Sequence, residues 1–320
     1  MPHFSRRDFV LTTAFAAALG LTERLFIPAA VAATEEPTIG HYKYKVGEIE
    51  VTALYDGIWK KPHDPAFIKN ASVDETKAAL AAAGLPNDYM PIPLTVVVLT
   101  IEGKHVMIDA GSGAQWQPTA GRLHENMVAA GIDPKKIGTI LISHFHPDHI
   151  FGLMHRDSNL PIYPDAELIV SRTEYEWWTA PGRVEKLPEA RKALGKRIQA
   201  VFPTWKNFTL IEDEREVLPG IQLVNAPGHT PGHAVFIVSS GNQQLMISND
   251  VAYVPALLAP HPEWQGAYDQ DGPTAVTTRR ALLDRVIADK MMICGAHFPF
   301  PGAGSFAKDG DAYMFTPVTI

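Results

Sequence analysis

Short apolar runs alternate with amphipathic stretches along most of this chain, and their two periods separate strands from helices. Residues 95–101 (T-V-V-V-L-T-I) are apolar almost throughout, as expected of a strand buried on both faces. Glu102-Gly103 then turns the chain back onto residues 105–108 as a hairpin. Ser72 followed by Glu75 is a capping box that opens an Ala-rich helix, which Gly84 stops. Residues 118–130 read as a helix capped by Gly131, and 137–142 as a buried strand. Further on, the pattern predicts helices over 187–200 and 274–288, with strands at 208–211, 221–224, 234–238, 244–247 and 291–294. Strands and helices are mixed, not segregated, so the fold class is an α/β layered sandwich. Pattern alone leaves open whether it holds one sheet or two.

Composition changes this picture in three places. A net charge of −7 and a pI near 6.0 argue against a polyanion-binding surface, so the substrate is expected to be a small molecule and not nucleic acid. The only cysteine, Cys294, rules out an internal disulfide, and its apolar neighbours mark it as a core residue, not a nucleophile. Beyond the first 35 residues no stretch is long and apolar enough to span a bilayer. Those first residues have their own pattern: Arg6 and Arg7 precede the apolar run 10–21, and Ala30-Val31-Ala32 offers a small-residue cleavage site. This is a twin-arginine signal pattern, which assigns 1–32 to a signal peptide, 33–320 to a single domain, and the mature protein to the periplasm.

The chemistry is concentrated in S-H-F-H-P-D-H, residues 143–149, directly after the strand 137–142. In extended backbone His144 and His146 face the same side. Pro147 then breaks the ladder, so Asp148 and His149 can address a neighbouring point. Other strand ends carry matching donors: His229 in P-G-H-T-P-G-H, Asp250 in S-N-D and His297 in G-A-H. Ligand-type residues at the C-terminal ends of strands are where layered α/β folds build sites. Imidazole and carboxylate suit zinc, and also manganese, cobalt or iron.

This ordered set resembles the metallo-β-lactamase superfamily of binuclear hydrolases, over essentially the whole chain after residue 32. The resemblance implies an αββα sandwich with two face-to-face sheets, helices outside, and two divalent metal ions, zinc first. It implies His144, His146 and His229 on one metal, Asp148, His149 and His297 on the other, and Asp250 bridging them. Asp148 would also take a proton from the attacking water, and Asp109 of M-I-D-A-G would stand just behind the ligands, unless it instead caps the turn at residues 111–113. His233 reads as structural. Two divalent ions, two carboxylates and a bridging hydroxide leave a charge of about +1, which holds a hydroxide nucleophile near neutral pH and stabilises an oxyanion. Oxygen-reducing di-iron relatives carry glutamate where His146 stands, which argues against a redox role.

Within the superfamily the chain is most similar to the methyl parathion hydrolase and acyl-homoserine lactonase branch, through residues 117–123, 144–153, 227–233 and 297–302. A homodimer is the habit of that branch. Tyr253, three residues after Asp250, stands where similar lactonases place a catalytic tyrosine, so the expected activity is lactone or carboxylic ester hydrolysis, with phosphotriesterase activity beside it. The alternatives are an organophosphate hydrolase, a β-lactam hydrolase (disfavoured by His149) and a catalytically silent metal-binding module. Trp116, Phe145 and Phe298 are the expected substrate-pocket residues, with Phe151, Trp177, Trp178 and Trp264 as further candidates for an aromatic wall.

Overall fold

Many strands of this chain are apolar on both faces because each sheet is covered on both sides. The structure, a computed structural model, describes residues 37–318; the signal pattern of residues 1–32 lies outside the described residues. One sheet runs in chain order: β1 (His41–Val46), β2 (Ile49–Lys61), β3 (Met90–Ile101), β4 (Lys104–Ile108), β5 (Ile137–Ile142), β6 (Glu167–Ser171) and β7 (Phe208–Ile211). The other is ordered β14 to β8 and contains β8 (Arg215–Leu218), β9 (Ile221–Asn225), β10 (Ala234–Ser240), β11 (Gln243–Ile247), β12 (Met292–Cys294), β13 (Ala303–Asp309) and β14 (Ala312–Pro317). The helices are α1 (Val73–Ala82), α2 (Leu123–Ala129), α3 (Pro147–Ile150), α4 (Arg172–Thr179), α5 (Arg183–Lys186), α6 (Glu189–Val201), α7 (Pro255–Leu258) and α8 (Gly272–Ala288).

Period-two alternation divides the side chains into three apolar layers. Val97, Leu99, Ile108, Leu141 and Ile169 of the first sheet meet Leu223, Phe236, Val238, Ile247 and Cys294 of the second. Their neighbours Val96, Val98, Met107, Ile140 and Ile142 point the other way, onto Met127, Trp178, Leu194 and Ile198 from the helices. On the second sheet's outer face, Val235, Ile237, Met246 and Ile293 pack on Leu257, Leu258, Leu283 and Val286, with Leu80 of α1. Each fully buried Val, Leu or Ile contributes roughly 1.5–3 kcal/mol, so three such layers explain how the sandwich stands without a disulfide. The αββα arrangement is thus present, with two sheets. Cys294 lies between them, and burial pushes its thiol up to about 12, which excludes it as a nucleophile.

The capping box is in place, with Glu75 N–H donating to Ser72 Oγ and Ser72 N–H to Glu75 Oε2. Two elements differ from the pattern. The helix expected over 118–130 begins only at Leu123, because the backbone before it is held by β2. Gly121 and Arg122 N–H both donate to the Asp56 carbonyl, and Leu123 N–H to its carboxylate. β3 begins at Met90, before the expected start, despite Pro91 and Pro93. β4 pairs only with residues from Val97 onward, so those prolines lie on a free edge where a missing N–H costs nothing.

Candidate metal centre and cavity

Five strand ends converge at one rim of the sandwich. β5 stops at Ile142, and His146 becomes the N-cap of α3 with Pro147 in its first turn. Pro147 therefore starts a helix instead of merely bending the chain, and that turn swings Asp148 and His149 away from His144 and His146. His229 follows β9, Asp250 follows β11, His297 follows β12 and Asp109 follows β4. Asp109 (φ 59°) and Asn249 (φ 44°) both take left-handed backbone, a conformation Asp and Asn tolerate better than most residues.

All seven expected ligand residues are brought together, in two groups. His144, His146, His229 and Asp250 form one and Asp148, His149 and His297 the other, the donor atoms of each lying within 4.8 Å of one another. His146 Nδ1 is 3.0 Å from both His144 Nε2 and His229 Nε2. Asp250 stands between the groups: Oδ2 is 3.1 Å from His229 Nε2 and 3.3 Å from His297 Nε2, and Oδ1 is 3.3 Å from His149 Nε2. His149 Nε2 and Asp250 Oδ1 are buried without a hydrogen-bond partner among the described residues. Buried polar atoms are normally satisfied, so nitrogen and oxygen donors aimed at a common point fit divalent cations. Burial pushes the His144 and His146 imidazoles well below their ordinary value, which keeps them in the neutral, ligating form. Burial would raise the Asp250 carboxyl, but His297, His149 and His229 outweigh it and hold it well below the usual range.

The far side of four imidazoles is fixed by an oxygen, which turns each Nε2 inward. His144 Nδ1 meets Ser143 Oγ at 2.9 Å, His149 Nδ1 meets Asp109 Oδ2 at 2.7 Å, His229 Nδ1 meets Asp269 Oδ1 at 2.9 Å and His297 Nδ1 meets the Pro93 carbonyl at 2.8 Å. Such partners set tautomer and ring orientation. Asp109 also accepts from Ser143 N–H and Oγ, so it stands behind the ligands and does not cap the following turn. That turn is held by Asp56, which accepts from Ser112 N–H and Oγ and which no motif along the chain singles out. His233 is buried against the Ala226 carbonyl and stacks edge-on to His144.

Glu174 was equally hidden. Its carboxylate is fully buried on α4 and accepts four hydrogen bonds: Phe145 N–H at 2.9 Å, Trp178 Nε1 at 2.8 Å, Thr230 Oγ1 at 2.6 Å and Gly232 N–H at 3.2 Å. It thereby ties the loop of His144 and His146 to the loop of His229. Gly232 permits the contact, since a Cβ there would lie 2.0 Å from the Glu174 nitrogen.

A cavity of about 240 Å³ opens onto the donors and is lined by Trp59, Ile92, Trp116, Arg191, Tyr253 and Tyr268, among others. Trp116 is therefore where the sequence places it, packed edge-on against Trp59 at 4.9 Å. Phe145 and Phe298 are not pocket residues. Phe145 lies between two inward-facing histidines and so points the opposite way, stacking on Phe202 at 4.3 Å in the core. Phe298, next to His297, likewise packs on Phe306 and Phe315. Trp178 is buried beside Glu174, Trp264 stacks on His261, Trp177 packs on Trp178, and Phe151 meets Arg197; none of these four lines the cavity. Tyr253 does line it. Its hydroxyl is buried without a partner among the described residues, 5.5 Å separates its ring from that of His229, and burial keeps the phenol protonated.

Comparison with known proteins agrees with this architecture. An N-acyl homoserine lactonase of Bacillus cereus is 29% identical over 232 residues, covering 66% of this chain and 84% of that protein. The dizinc quorum-quenching lactonase AidC, solved with a product N-hexanoyl-L-homoserine, superposes with a TM-score of 0.78 at 26% identity, covering 88% of this chain and 98% of that one. The hydrolase AbOPH shares the fold, with a TM-score of 0.82 at 24% identity over 89% of this chain and 99% of its own. The profile of the metallo-beta-lactamase superfamily matches residues 90–297, which span Asp109 and all seven donors from His144 to His297. With that match, the two-sheet sandwich and the histidine–aspartate donor set, the chain belongs to the metallo-beta-lactamase superfamily and is a metal-dependent hydrolase.

Proposed function

We propose that this hydrolase opens a lactone or cleaves a carboxylic ester, using two zinc ions held by the seven donors. The observation that carries the reading is Tyr253: a protonated, buried hydroxyl with no partner among the described residues, in the wall of an aromatic cavity that also contains His146, Asp148, His229, Asp250 and His297. Two divalent ions bound there would supply an activated water at neutral pH and charge stabilisation for a developing oxyanion. The Asp148 carboxylate accepts the proton that the water gives up as its oxygen bonds to the carbonyl carbon. Tyr253 Oη donates a hydrogen bond to the substrate carbonyl or to the leaving oxygen; the bond from that oxygen to the carbon breaks, and the proton held by Asp148 passes to it to give the alcohol. Trp59, Trp116 and Tyr268 supply apolar surface for an acyl or aryl group and exclude water around it. The activities named for the Bacillus cereus relative and for AidC support this choice.

The test is a hydrolysis panel on zinc-loaded protein: a homoserine lactone, an aryl ester, an organophosphate and a β-lactam, each with wild type and Tyr253→Phe. The lactone or ester turns over fastest, and Tyr253→Phe lowers its kcat about 100-fold with a smaller change in KM. Unchanged lactone turnover in Tyr253→Phe would remove the tyrosine from the mechanism. An organophosphate as the best substrate would reassign the main activity.

A further inference from the structure

Arg191 is little supported by its own surroundings. It lies in the first turn of α6, at the positive end of the helix, where a cation is disfavoured. It lines the cavity beside Ala190 and Leu194, half-buried in a wall that is otherwise apolar and aromatic on that side. Its guanidinium, with five N–H donors, has one hydrogen bond among the described residues, from Nη2 to the Tyr268 carbonyl at a long 3.4 Å, and no ion pair. Desolvating a guanidinium without a matching acceptor is costly, and burial accordingly lowers its pKa. Among the described residues, the carboxylates lining the same cavity, Asp148 and Asp250, belong to the donor cluster, and Asp269 favours the charged guanidinium without forming an ion pair with it. The cavity wall thus presents a planar cation, most of whose N–H donors are unmatched, to the space that a substrate fills.

We propose that Arg191 is a specificity-determining residue that binds an anionic group, of carboxylate type, carried by the substrate beyond its scissile bond. This rests on the reading of the site as an ester or lactone hydrolase. The substrate class is then a lactone or ester whose acyl portion ends in a carboxylate, with the apolar chain between lying on Trp59 and Trp116. A guanidinium takes a carboxylate through two parallel N–H···O bonds, which a neutral ester tail cannot match.

The experiment compares the 4-nitrophenyl monoester of adipic acid with 4-nitrophenyl hexanoate, using zinc-loaded wild type, Arg191→Gln and Arg191→Lys. The readout is the ratio of kcat/KM for the anionic over the neutral ester, which removes any general loss common to both. We expect Arg191→Gln to lower that ratio at least tenfold, mainly through KM, and Arg191→Lys to restore part of it. A ratio within twofold of wild type in Arg191→Gln overturns the proposal. If wild type cleaves neither ester, the ester part of the proposed function fails, and binding still decides Arg191. Adipate and hexanoate are then titrated against the fluorescence of Trp59 and Trp116. Wild type is expected to favour adipate over hexanoate at least tenfold more than Arg191→Gln does; equal preference in the two proteins overturns the proposal.

Discussion

Replacing Glu174 with alanine removes one carboxylate and strands four donors. Phe145 N–H, Gly232 N–H, Thr230 Oγ1 and Trp178 Nε1 all lose their acceptor in a place that solvent does not reach. A buried donor left unsatisfied costs about 1–3 kcal/mol, but the hole left by the side chain can admit a water that satisfies one or two of the four. We therefore expect Glu174→Ala to lose about 3–5 kcal/mol, the range for breaking a buried polar network. Glu174→Gln keeps the volume and one acceptor oxygen but turns an N–H towards other donors, so its loss should be smaller, about 1–3 kcal/mol. Because the carboxylate joins the loop of His144 and His146 to that of His229, zinc affinity should fall as well, by about tenfold or more. Urea unfolding of the zinc-free protein reads the first effect, and competition with a chromogenic chelator reads the second. The two must fall together. A Glu174→Ala protein within about 1 kcal/mol of wild type, binding zinc within threefold, would show that the loops hold their places without it.

Two further outcomes follow from the same geometry and a third from the N-terminal sequence pattern. Asp250→Ala removes the oxygen atoms that lie between the two donor groups, and elemental analysis of the purified protein should show fewer than two zinc ions per chain; full occupancy would refute the bridging position. Gly266→Ala places a methyl group 1.2 Å from the Tyr253 hydroxyl, so the ring must move. Lactone kcat should fall at least as far as in Tyr253→Phe while zinc content stays at the wild-type level, and unaffected turnover would show that Tyr253 Oη need not sit where it does. Replacing both Arg6 and Arg7 by lysine should stop appearance of the protein in the periplasmic fraction, and continued export would exclude the twin-arginine route.

The donor set was legible in the sequence because the chemistry leaves little freedom. Histidine and aspartate at strand ends suit such a centre, and the period-two rule told His144 and His146 apart from the pair beyond Pro147. The same rule, carried one step further, would have placed Phe145 in the core, since a residue next to an inward-facing ligand in extended backbone must face outward; Phe298 lies in a turn, where no such rule applies. The strand 137–142, the hairpin 95–108 and the capping box were equally local, since each depends on residues a few positions apart. The sequence by itself thus determined most of the elements, the donor residues and the split at Pro147, while the sharing of all seven ligands between two metals was implied by the family resemblance.

Only the tertiary structure decided what surrounds them. Asp56, Glu174 and Asp269 are single carboxylates with no motif, and each becomes meaningful through partners brought from distant parts of the chain, as Glu174 and Thr230 are by the meeting of α4 with the loop after β9. The cavity wall is assembled in the same way, from β2, β3, the loop after β4, α6 and the loops after β11 and α7. Hydrogen bonds and apolar contacts of this kind depend on distance in space, and no local period along the chain encodes them. That is why the donor centre was readable from residue order, whereas the other groups of the cavity wall, Arg191, Trp59 and Tyr268, emerged only when the sandwich closed.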